Sequence, residues 1–316
     1  MRSTRLPWGR APSLAMVALL FVGCDGAATV STQSLAPDPR TDLLANIVER
    51  GTILMATDPA YPPASFAIDG ASRKTDTRCA QDELTAPEVD GYDVAVSRLV
   101  ADGLGVEPCF VTPAWAELLA GNWAGRWDLA FSSIGITAER MDTLRFTRPY
   151  YATPERFYVA DTSAYRTMEQ LDGTRIGVCT GCFADLYLQH KLTIPGTTVD
   201  YRVDDARIIG YQTERAGLDD VGAGTLDAFL CQETAGQAAI ADGVAIRGLE
   251  PAPYAAFPAG AVDRESGMDT TTLLKAVNDI LGTRFEDGTL AELSERFFGH
   301  DYASAVATFH AEAVGP

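Results

Sequence analysis

Two cysteines, Cys179 and Cys182, lie in the segment IGVCTGCFADLY (residues 176–187), where an apolar run meets a predicted helix. A CxxC pair at a helix start can carry a reactive thiolate, because free backbone amides and the helix dipole stabilise the anion. The same pair could supply two zinc ligands, provided that further Cys or His ligands complete the site. A third interpretation is an oxidised pair that stiffens the loop.

The remaining metal-ligating residues decide between these interpretations. The chain has three histidines, which are His190, His300 and His310. Their spacing matches no zinc motif, although Cys231 could serve as a third ligand of a soft-metal site. A thioredoxin-like enzyme would hold the motif in one small domain, whereas this chain has 316 residues. We favour a Cys179–Cys182 disulfide with Cys231 buried as a small apolar side chain, and a Cys231–Cys179 bridge is the rival pairing. No metal and no cofactor are predicted.

A second cysteine pair, Cys79 and Cys109, flanks a single segment of the chain. We expect a local disulfide between them that pins an inserted loop to a strand at 109–112. Such a bridge suits a protein outside the cytoplasm, where thiols oxidise.

The N-terminus predicts export. Residues 1–23 combine three arginines with the apolar run LAMVALLFVG, which is shorter than the roughly 20 residues of a membrane-spanning helix. The run ends in FVGC, which resembles a lipoprotein processing site with Cys24 as the lipidated residue. Cleavage as a soluble protein is the alternative. Residues 24–42 are small and polar, as in a flexible tether, so we expect a periplasmic protein that is anchored to the membrane by lipid only.

Charge narrows the possible partners. The chain has 43 acidic and 25 basic residues and a net charge of −18, which argues against nucleic acid and anionic membrane surfaces.

Short apolar runs alternate with helical patterns along the chain, which predicts parallel α/β sheets. One series has strands in GTILMATD, EPCFVT and WDLAFSS, with helices in YDVAVSRLVADGLG and WAELLAGNWAG. A second has strands in TRIGVCT, VDYRVDD and LDAFLCQ, with helices in FADLYLQHKL and near 212–224. The tail beyond residue 270 is helical, with predicted breaks at Gly282 and Gly288. The chain is therefore predicted to form two α/β lobes. A ligand-binding site is expected between them, at the carboxyl ends of the strands.

The order of these pieces resembles the extracellular solute-binding proteins of family 3. The resemblance runs from about Leu44 to about Gly299 and rests on ILMATDPAYPPASF, the block LLAGNWAGRWDLAFSSIGITAERMDTLRFTRPYY, LDGTRIGVCTG, GTLDAFL and the C-terminal helices. It implies a two-lobed periplasmic-binding-protein fold of type II and a role as the binding component of an ABC importer. The implied partners are a small carboxylate-bearing ligand and a permease in the inner membrane, and the expected state is a monomer.

The same resemblance in the order of strands and helices also predicts where each lobe begins and ends. We expect lobe 1 to comprise residues 43–156 and 254–312 and lobe 2 to comprise residues 157–253. The chain should cross between the lobes near 155–161 and 250–256.

Arg140 is the predicted anchor of the ligand carboxylate. It follows Thr137, a plausible helix N-cap, so its guanidinium should lie near free amides at the end of a strand. A planar fork of donors is suited to a carboxylate held by two hydrogen bonds. The alternatives are a surface arginine and a structural ion pair. The resemblance assigns hydroxyl and backbone contacts to Ser132 and Ser133, which could instead only cap the helix.

Three further residues match positions of the family's first-lobe loops. Tyr61 and Trp115 match an aromatic clamp on the ligand side chain, and core packing is the alternative. Asp58 matches a position that can contact a ligand amine, and turn capping would also explain it.

The second lobe departs from the family pattern. Gly181 is followed by Cys182 and Phe183 where the family usually has Ser or Thr, so only the backbone amides could hold a carboxylate. Gln232 replaces the aspartate that binds the ligand ammonium, and a neutral amide cannot compensate that charge. We therefore expect Glu233 or Asp58 to take this role, or the ligand to be other than a standard α-amino acid.

Other functions are weighed against transport. No histidine lies in a cleft motif, so Ser-His-Asp hydrolysis is disfavoured. A cleft enzyme that dehydrates cyclic carboxylates, with Glu233 or Asp58 as general acid, is the main alternative. A sensor or peptidoglycan-linked module is the third class.

Overall fold

The computed structural model describes residues 37–308. The predicted signal peptide, Cys24 and most of the tether lie outside the described residues and stay predictions. Within the described part, no helix is long and apolar enough to cross a membrane.

The strands in chain order are β1 Thr52–Ala56, β2 Ala60–Tyr61, β3 Ser65–Ala67, β4 Leu84–Thr85, β5 Val89–Asp90, β6 Glu107–Val111, β7 Leu129–Ala130, β8 Leu144–Pro149, β9 Thr153–Ala160, β10 Arg175–Cys179, β11 Arg207–Tyr211, β12 Ala228–Gln232, β13 Ile246–Gly248, β14 Tyr254–Ala256 and β15 Ala259–Asp263. The α-helices are α1 Leu43–Arg50, α2 Tyr92–Leu104, α3 Trp115–Ala120, α4 Phe183–Leu188, α5 Glu214–Gly222, α6 Glu233–Ala241, α7 Thr271–Glu286 and α8 Thr289–Phe298. Short 3-10 turns span Ala86–Glu88, Arg140–Asp142, Met168–Leu171 and Ser304–Thr308.

The first sheet has the strand order β4-β6-β1-β7-β15-β8. β1 pairs in parallel with both β6 and β7, and β15 runs antiparallel between β7 and β8. The chain leaves β1 for β6 on one side and then returns to β7 on the other, which makes the carboxyl end of β1 a topological switch point. The C-terminal helices α7 and α8 pack on this sheet's core, where Val277, Leu281 and Leu290 join Ile53 and Val100.

The second sheet repeats this arrangement with the order β11-β10-β12-β9-β13. β10 pairs in parallel with β11 and β12, and β9 runs antiparallel to β12, β13 and β14. Its core includes Phe157, Val178 and Tyr187. The two α/β sheets form the two lobes, which confirms the predicted fold class: an α/β, two-lobed periplasmic-binding-protein fold of type II.

The segments that pass between the sheets are 150–152, from β8 to β9, and 257–258, from β14 to β15. β9 pairs along its whole length within the second sheet. The first crossing therefore precedes the predicted range 155–161, and the second follows the range 250–256. The exact lobe boundaries stay a prediction.

Several local predictions were wrong, among them the length of helix α4, which ends at Leu188, and that of strand β7, which spans only Leu129–Ala130. The segment VDYRVDD is not a strand, and β11 begins two residues after it, because Val203 packs into the second core while the backbone stays irregular. α7 continues through Gly282, whose bare Cα leaves room for the Arg148 guanidinium. α3 ends at Ala120, since Asn122 and Ala124 adopt positive φ values that a helix cannot contain. The predicted break at Gly288 is present, with a φ of +83°.

The predicted disulfides are both present. Cys79 is joined to Cys109, which ties the inserted loop to β6, and Cys179 is joined to Cys182. Cys231 is buried and free, so the rival Cys231–Cys179 pairing does not occur.

Candidate functional site

A cleft lies where the carboxyl ends of β1 and β7 face those of β10 and β12. Its empty volume is about 810 Å³, part of it open to solvent. The lining residues come from the loops after these strands and from the starts of α3, α4 and α5. This is the place expected for a ligand in a two-lobed α/β protein.

Nine of the eleven predicted ligand-binding residues line the cleft. They are Asp58, Tyr61, Trp115, Ser132, Ser133, Arg140, Cys182, Phe183 and Gln232. The other two, Gly181 and Glu233, are not among the described lining residues. The topology thus brings most of the predicted set together, while their ligand roles stay predictions.

Arg140 is a buried charge in the cleft, with 6% of its surface exposed. Its backbone amide donates to Thr137 Oγ1 at 3.0 Å, the cap predicted from the sequence. Its guanidinium donates to the carbonyl of Gly135 at 2.9 Å in lobe 1 and to that of Gly181 at 3.1 Å in lobe 2. Burial lowers the pKa of Arg140 to about 10, which leaves it cationic at neutral pH. The side chain therefore links the two lobes and keeps its positive charge.

Two aromatic rings enclose this guanidinium. The Arg140 Cζ lies 5.4 Å from the Trp115 ring centroid and 4.9 Å from that of Phe183. Such contacts stabilise a desolvated cation and hold its plane in one orientation. The Phe183 ring can lie this close to the backbone at Gly135 only because glycine has no Cβ, since a Cβ there would lie 2.4 Å from Phe183 Cζ. Phe183, which stands where a hydroxyl residue was expected, thus orients the arginine.

The backbone around the CxxC motif is largely occupied. The Gly181 amide donates to Asp185 Oδ2 at 2.9 Å, and the Cys182 amide donates to the Cys179 carbonyl at 3.2 Å. These two amides are therefore engaged within lobe 2 rather than free for a ligand. The amides of Phe183 and Ala184, in the first turn of α4, have no intrahelical acceptor.

A hydrogen-bonded chain joins the two lobes at the back of the cleft. Ser133 Oγ donates to Asp93 Oδ2 at 2.8 Å, and Tyr150 donates to Asp93 Oδ1 at 2.6 Å. The Tyr151 hydroxyl lies 2.8 Å from Ser133 Oγ and 2.9 Å from Gln232 Oε1. Burial raises the pKa of Asp93 to about 7, although its hydrogen bonds oppose the shift. Gln232 is therefore held in place by Tyr151 and carries no charge.

Glu233 does not replace the missing aspartate. Its carboxylate accepts hydrogen bonds from Arg156 and, at 2.9 Å, from the Tyr302 hydroxyl, which draws it away from the cleft. Asp58 lines the cleft, and its Oδ1 also accepts a hydrogen bond from the Ala60 amide at 3.0 Å. The turn-capping contact that the sequence offered as an alternative is therefore present as well.

Sequence reasoning missed two acidic residues of the cleft, Glu155 and Glu214. Glu155 is 2% exposed and Glu214 is 8% exposed, and both line the cavity. Burial raises the pKa of Glu214 to about 8, with a hydrogen bond from Tyr61 opposing it. Burial and the neighbouring Glu214 also raise the pKa of Glu155 well above its usual range, whereas Arg140 lowers it. The register of β9 against β12 places Glu155 opposite Gln232, and no local pattern of the sequence contains that pairing.

Three buried polar atoms of the cleft have no hydrogen-bond partner within the described residues. They are Trp115 Nε1, Ser132 Oγ and Glu214 Oε2. Unpaired buried donors and acceptors are costly and uncommon in folded proteins. Their concentration around one cavity indicates that the cleft is built for a polar ligand.

Comparison with known proteins identifies the family. The profile of the bacterial extracellular solute-binding proteins, family 3, matches residues 53–300. The chain belongs to this family. This solute-binding protein is 28% identical to the L-cystine-binding protein TcyJ of Escherichia coli over 286 residues, which cover 89% of the chain and 95% of that protein.

Solved structures show the same fold. One is Tv2483 bound to L-arginine, with a TM-score of 0.68 and 19% identity over 87% of this chain and all of that one. Another is an ancestral amino-acid-binding protein described as a precursor of cyclohexadienyl dehydratase, with a TM-score of 0.64 and 22% identity over 81% of this chain and 99% of that one. The family and the fold agree with the resemblance read from the sequence.

Proposed function

We propose that this solute-binding protein captures an amino acid or amino-acid-like carboxylate outside the cytoplasm and presents it to the permease of an ABC importer. The observation that carries the proposal is the buried Arg140 between two aromatic rings, with unpaired polar atoms around the same cavity. The relative that binds L-cystine and the similar fold bound to L-arginine support an amino-acid ligand. We also propose a monomer anchored through a lipid on Cys24.

The mechanism would be hinged closure. The ligand carboxylate would take the remaining donors of the Arg140 guanidinium, together with the amides of Phe183 and Ala184 across the cleft. Because these groups belong to different lobes, the ligand stabilises the closed arrangement, and the permease would recognise that arrangement. Segments 150–152 and 257–258 would act as the hinge.

A thermal-shift screen tests the proposal. The protein without its first 36 residues is mixed with the twenty L-amino acids, L-cystine, L-ornithine, simple carboxylates and amines. We expect at least one amino acid to raise the melting temperature in a concentration-dependent way, because a ligand that binds only the folded state stabilises it by mass action. Absence of any shift across the carboxylates would contradict the proposal.

Replacing Gly135 should weaken binding without unfolding the protein. In Gly135→Ala the new Cβ would lie 2.4 Å from Phe183 Cζ, which is shorter than any normal van der Waals contact. Either the two lobes must move apart, or the Phe183 ring must rotate and lose its contact with Arg140. We expect at least a tenfold loss of affinity, measured by titration calorimetry with the amino acid from the screen.

The matched control is Gly103→Ala. Its Cβ would meet Ile280 Cδ1 at 2.7 Å inside lobe 1, away from the cleft. This variant should lower the melting temperature and leave the affinity within about twofold, since it disturbs α2 against α7 only. Equal affinities in both variants would show that the Gly135–Phe183 contact plays no part in closure.

A second candidate function is a cleft lyase. The specific observation is Glu214, a buried carboxyl whose pKa of about 8 keeps it protonated at neutral pH, as a general acid requires. Incubation with cyclohexadienyl carboxylates, followed by ultraviolet absorbance for an aromatic product, distinguishes the two. We propose that the chain is a receptor and expect no turnover.

A further inference from the structure

The buried acids Glu155 and Glu214 have no role in the carboxylate anchor. Each lines the cleft and is buried, and Glu214 Oε2 has no hydrogen-bond partner among residues 37–308. Buried carboxyls whose oxygens are not all hydrogen-bonded are unfavourable when ionised, unless a positive charge lies beside them. A cationic ligand would remove that cost.

Strand register explains how they came to this position. Glu155 on β9 lies opposite Gln232 on β12, and residues directly opposite in an antiparallel pair point to the same face of the sheet. The carboxylate that is missing at Gln232 is thereby supplied from the neighbouring strand. Glu214 approaches from the start of α5, where Tyr61 of the other lobe hydrogen-bonds to it.

We propose that Glu155 and Glu214 together form the cation-binding pole of the cleft, and that the preferred ligand is an amino acid with two cationic groups. This inference rests on the proposed function. Arg140 carries one positive charge, which a ligand carboxylate balances. The two glutamates, when ionised, then require two positive charges from the ligand. Asp58 adds little to this charge balance, because it lies at the partly exposed mouth of the cleft, where solvent screens its charge.

Proton release is the signature of such a site. Tyr61, Tyr151, Tyr254 and Cys231 lie near the acid pair as neutral groups, and Arg140 is the cation that faces Glu155. Burial raises the pKa of both glutamates, that of Glu214 to about 8, and a cationic ligand beside them favours their ionised forms. Binding should therefore release on the order of one proton at pH 7 and tighten as the pH rises towards 8.

Four probes of equal chain length test the assignment. They are L-ornithine, L-norvaline, 5-aminopentanoate and pentanoate, which carry two, one, one and no ammonium groups. Calorimetry in phosphate and in Tris measures both affinity and proton release. We expect L-ornithine to bind at least tenfold more tightly than L-norvaline, and pentanoate to bind most weakly.

Variants assign the effect to the two residues. Glu155→Gln and Glu214→Gln keep the side-chain shape, and each should weaken the binding of L-ornithine at least tenfold and reduce the proton release that accompanies it. Asp219→Asn is the control on α5, because Asp219 is exposed and pairs with Arg215 outside the cleft. It should change neither quantity.

The possible results distinguish a failure of the cation site from a failure of the carboxylate-receptor function. If L-norvaline or pentanoate binds as tightly as L-ornithine, or if both Gln variants match the wild type, the cation site is overturned while the carboxylate receptor stands. If another amino acid binds but L-ornithine does not, the inference is overturned in the same way. If no carboxylate of the wider screen binds the wild type, the proposed function fails, and the cation site fails with it.

Discussion

Arg140→Ala should abolish the rise in melting temperature that the ligand produces. Removing one partner of a buried, hydrogen-bonded charge pair typically costs about 2–5 kcal/mol, which corresponds to a loss of affinity of roughly 30-fold or more. The variant also loses the hydrogen bonds to Gly135 and Gly181 that join the lobes. Differential scanning fluorimetry over a series of ligand concentrations measures the loss.

The matched control is Arg126→Ala. Arg126 also lies over a tryptophan, with its Cζ 4.6 Å from the Trp127 ring centroid, but it is exposed and pairs with Glu117. This change should leave the ligand-induced shift intact. Circular dichroism of the ligand-free Arg140→Ala protein confirms that it is folded. A full shift in folded Arg140→Ala would show that the carboxylate is held elsewhere.

The ligand-free protein should become less stable as the pH rises from about 5 to about 8. Burial raises the pKa of Asp93 from 3.8 to about 7 and that of Glu214 from 4.5 to about 8. Between the unfolded and folded values the native state holds more protons than the unfolded chain, so the free energy of unfolding falls with pH. Each additional proton held by the native state lowers the free energy of unfolding by about 1.4 kcal/mol for every unit that the pH rises.

Urea denaturation at several pH values measures this slope. Glu214→Gln should flatten it by about 1.4 kcal/mol per pH unit, because the amide does not titrate. Glu292→Gln, at an exposed position of α8, serves as the control and should reproduce the wild-type slope. A stability that rises over the same pH range would contradict the buried, protonated state of these carboxyls.

Both expectations concern groups that the sequence treats very differently. Arg140 could be singled out because Thr137, the helix start and the strand end lie within a few residues of it, and local patterns determine that geometry. Asp93 and Glu214 look like ordinary acids at the starts of helices. Their burial depends on which elements are packed against them, which no local pattern contains.

The same division applies to the departures from the family pattern. Gln232 in place of an aspartate was visible in the sequence, and so was the need for another anion. The neighbouring Glu233 seemed the natural substitute, yet helix α6 begins at that residue and directs its side chain to Arg156 and Tyr302. The carboxyl beside Gln232 belongs to Glu155, which lies on another strand and far earlier in the chain.

The sequence by itself determined the alternation of strands and helices and the two lobes, because these follow from the period of apolar residues and from turn residues. It favoured the two disulfide pairs, and its resemblance to a known family implied most of the residues that meet in the cleft. Only the tertiary structure decided that Phe183 and Trp115 enclose Arg140, that the amides of Gly181 and Cys182 are occupied, and that Glu155 and Glu214 face the cavity. The reason is physical: burial, cross-strand register and contact between lobes are properties of pairs of distant segments.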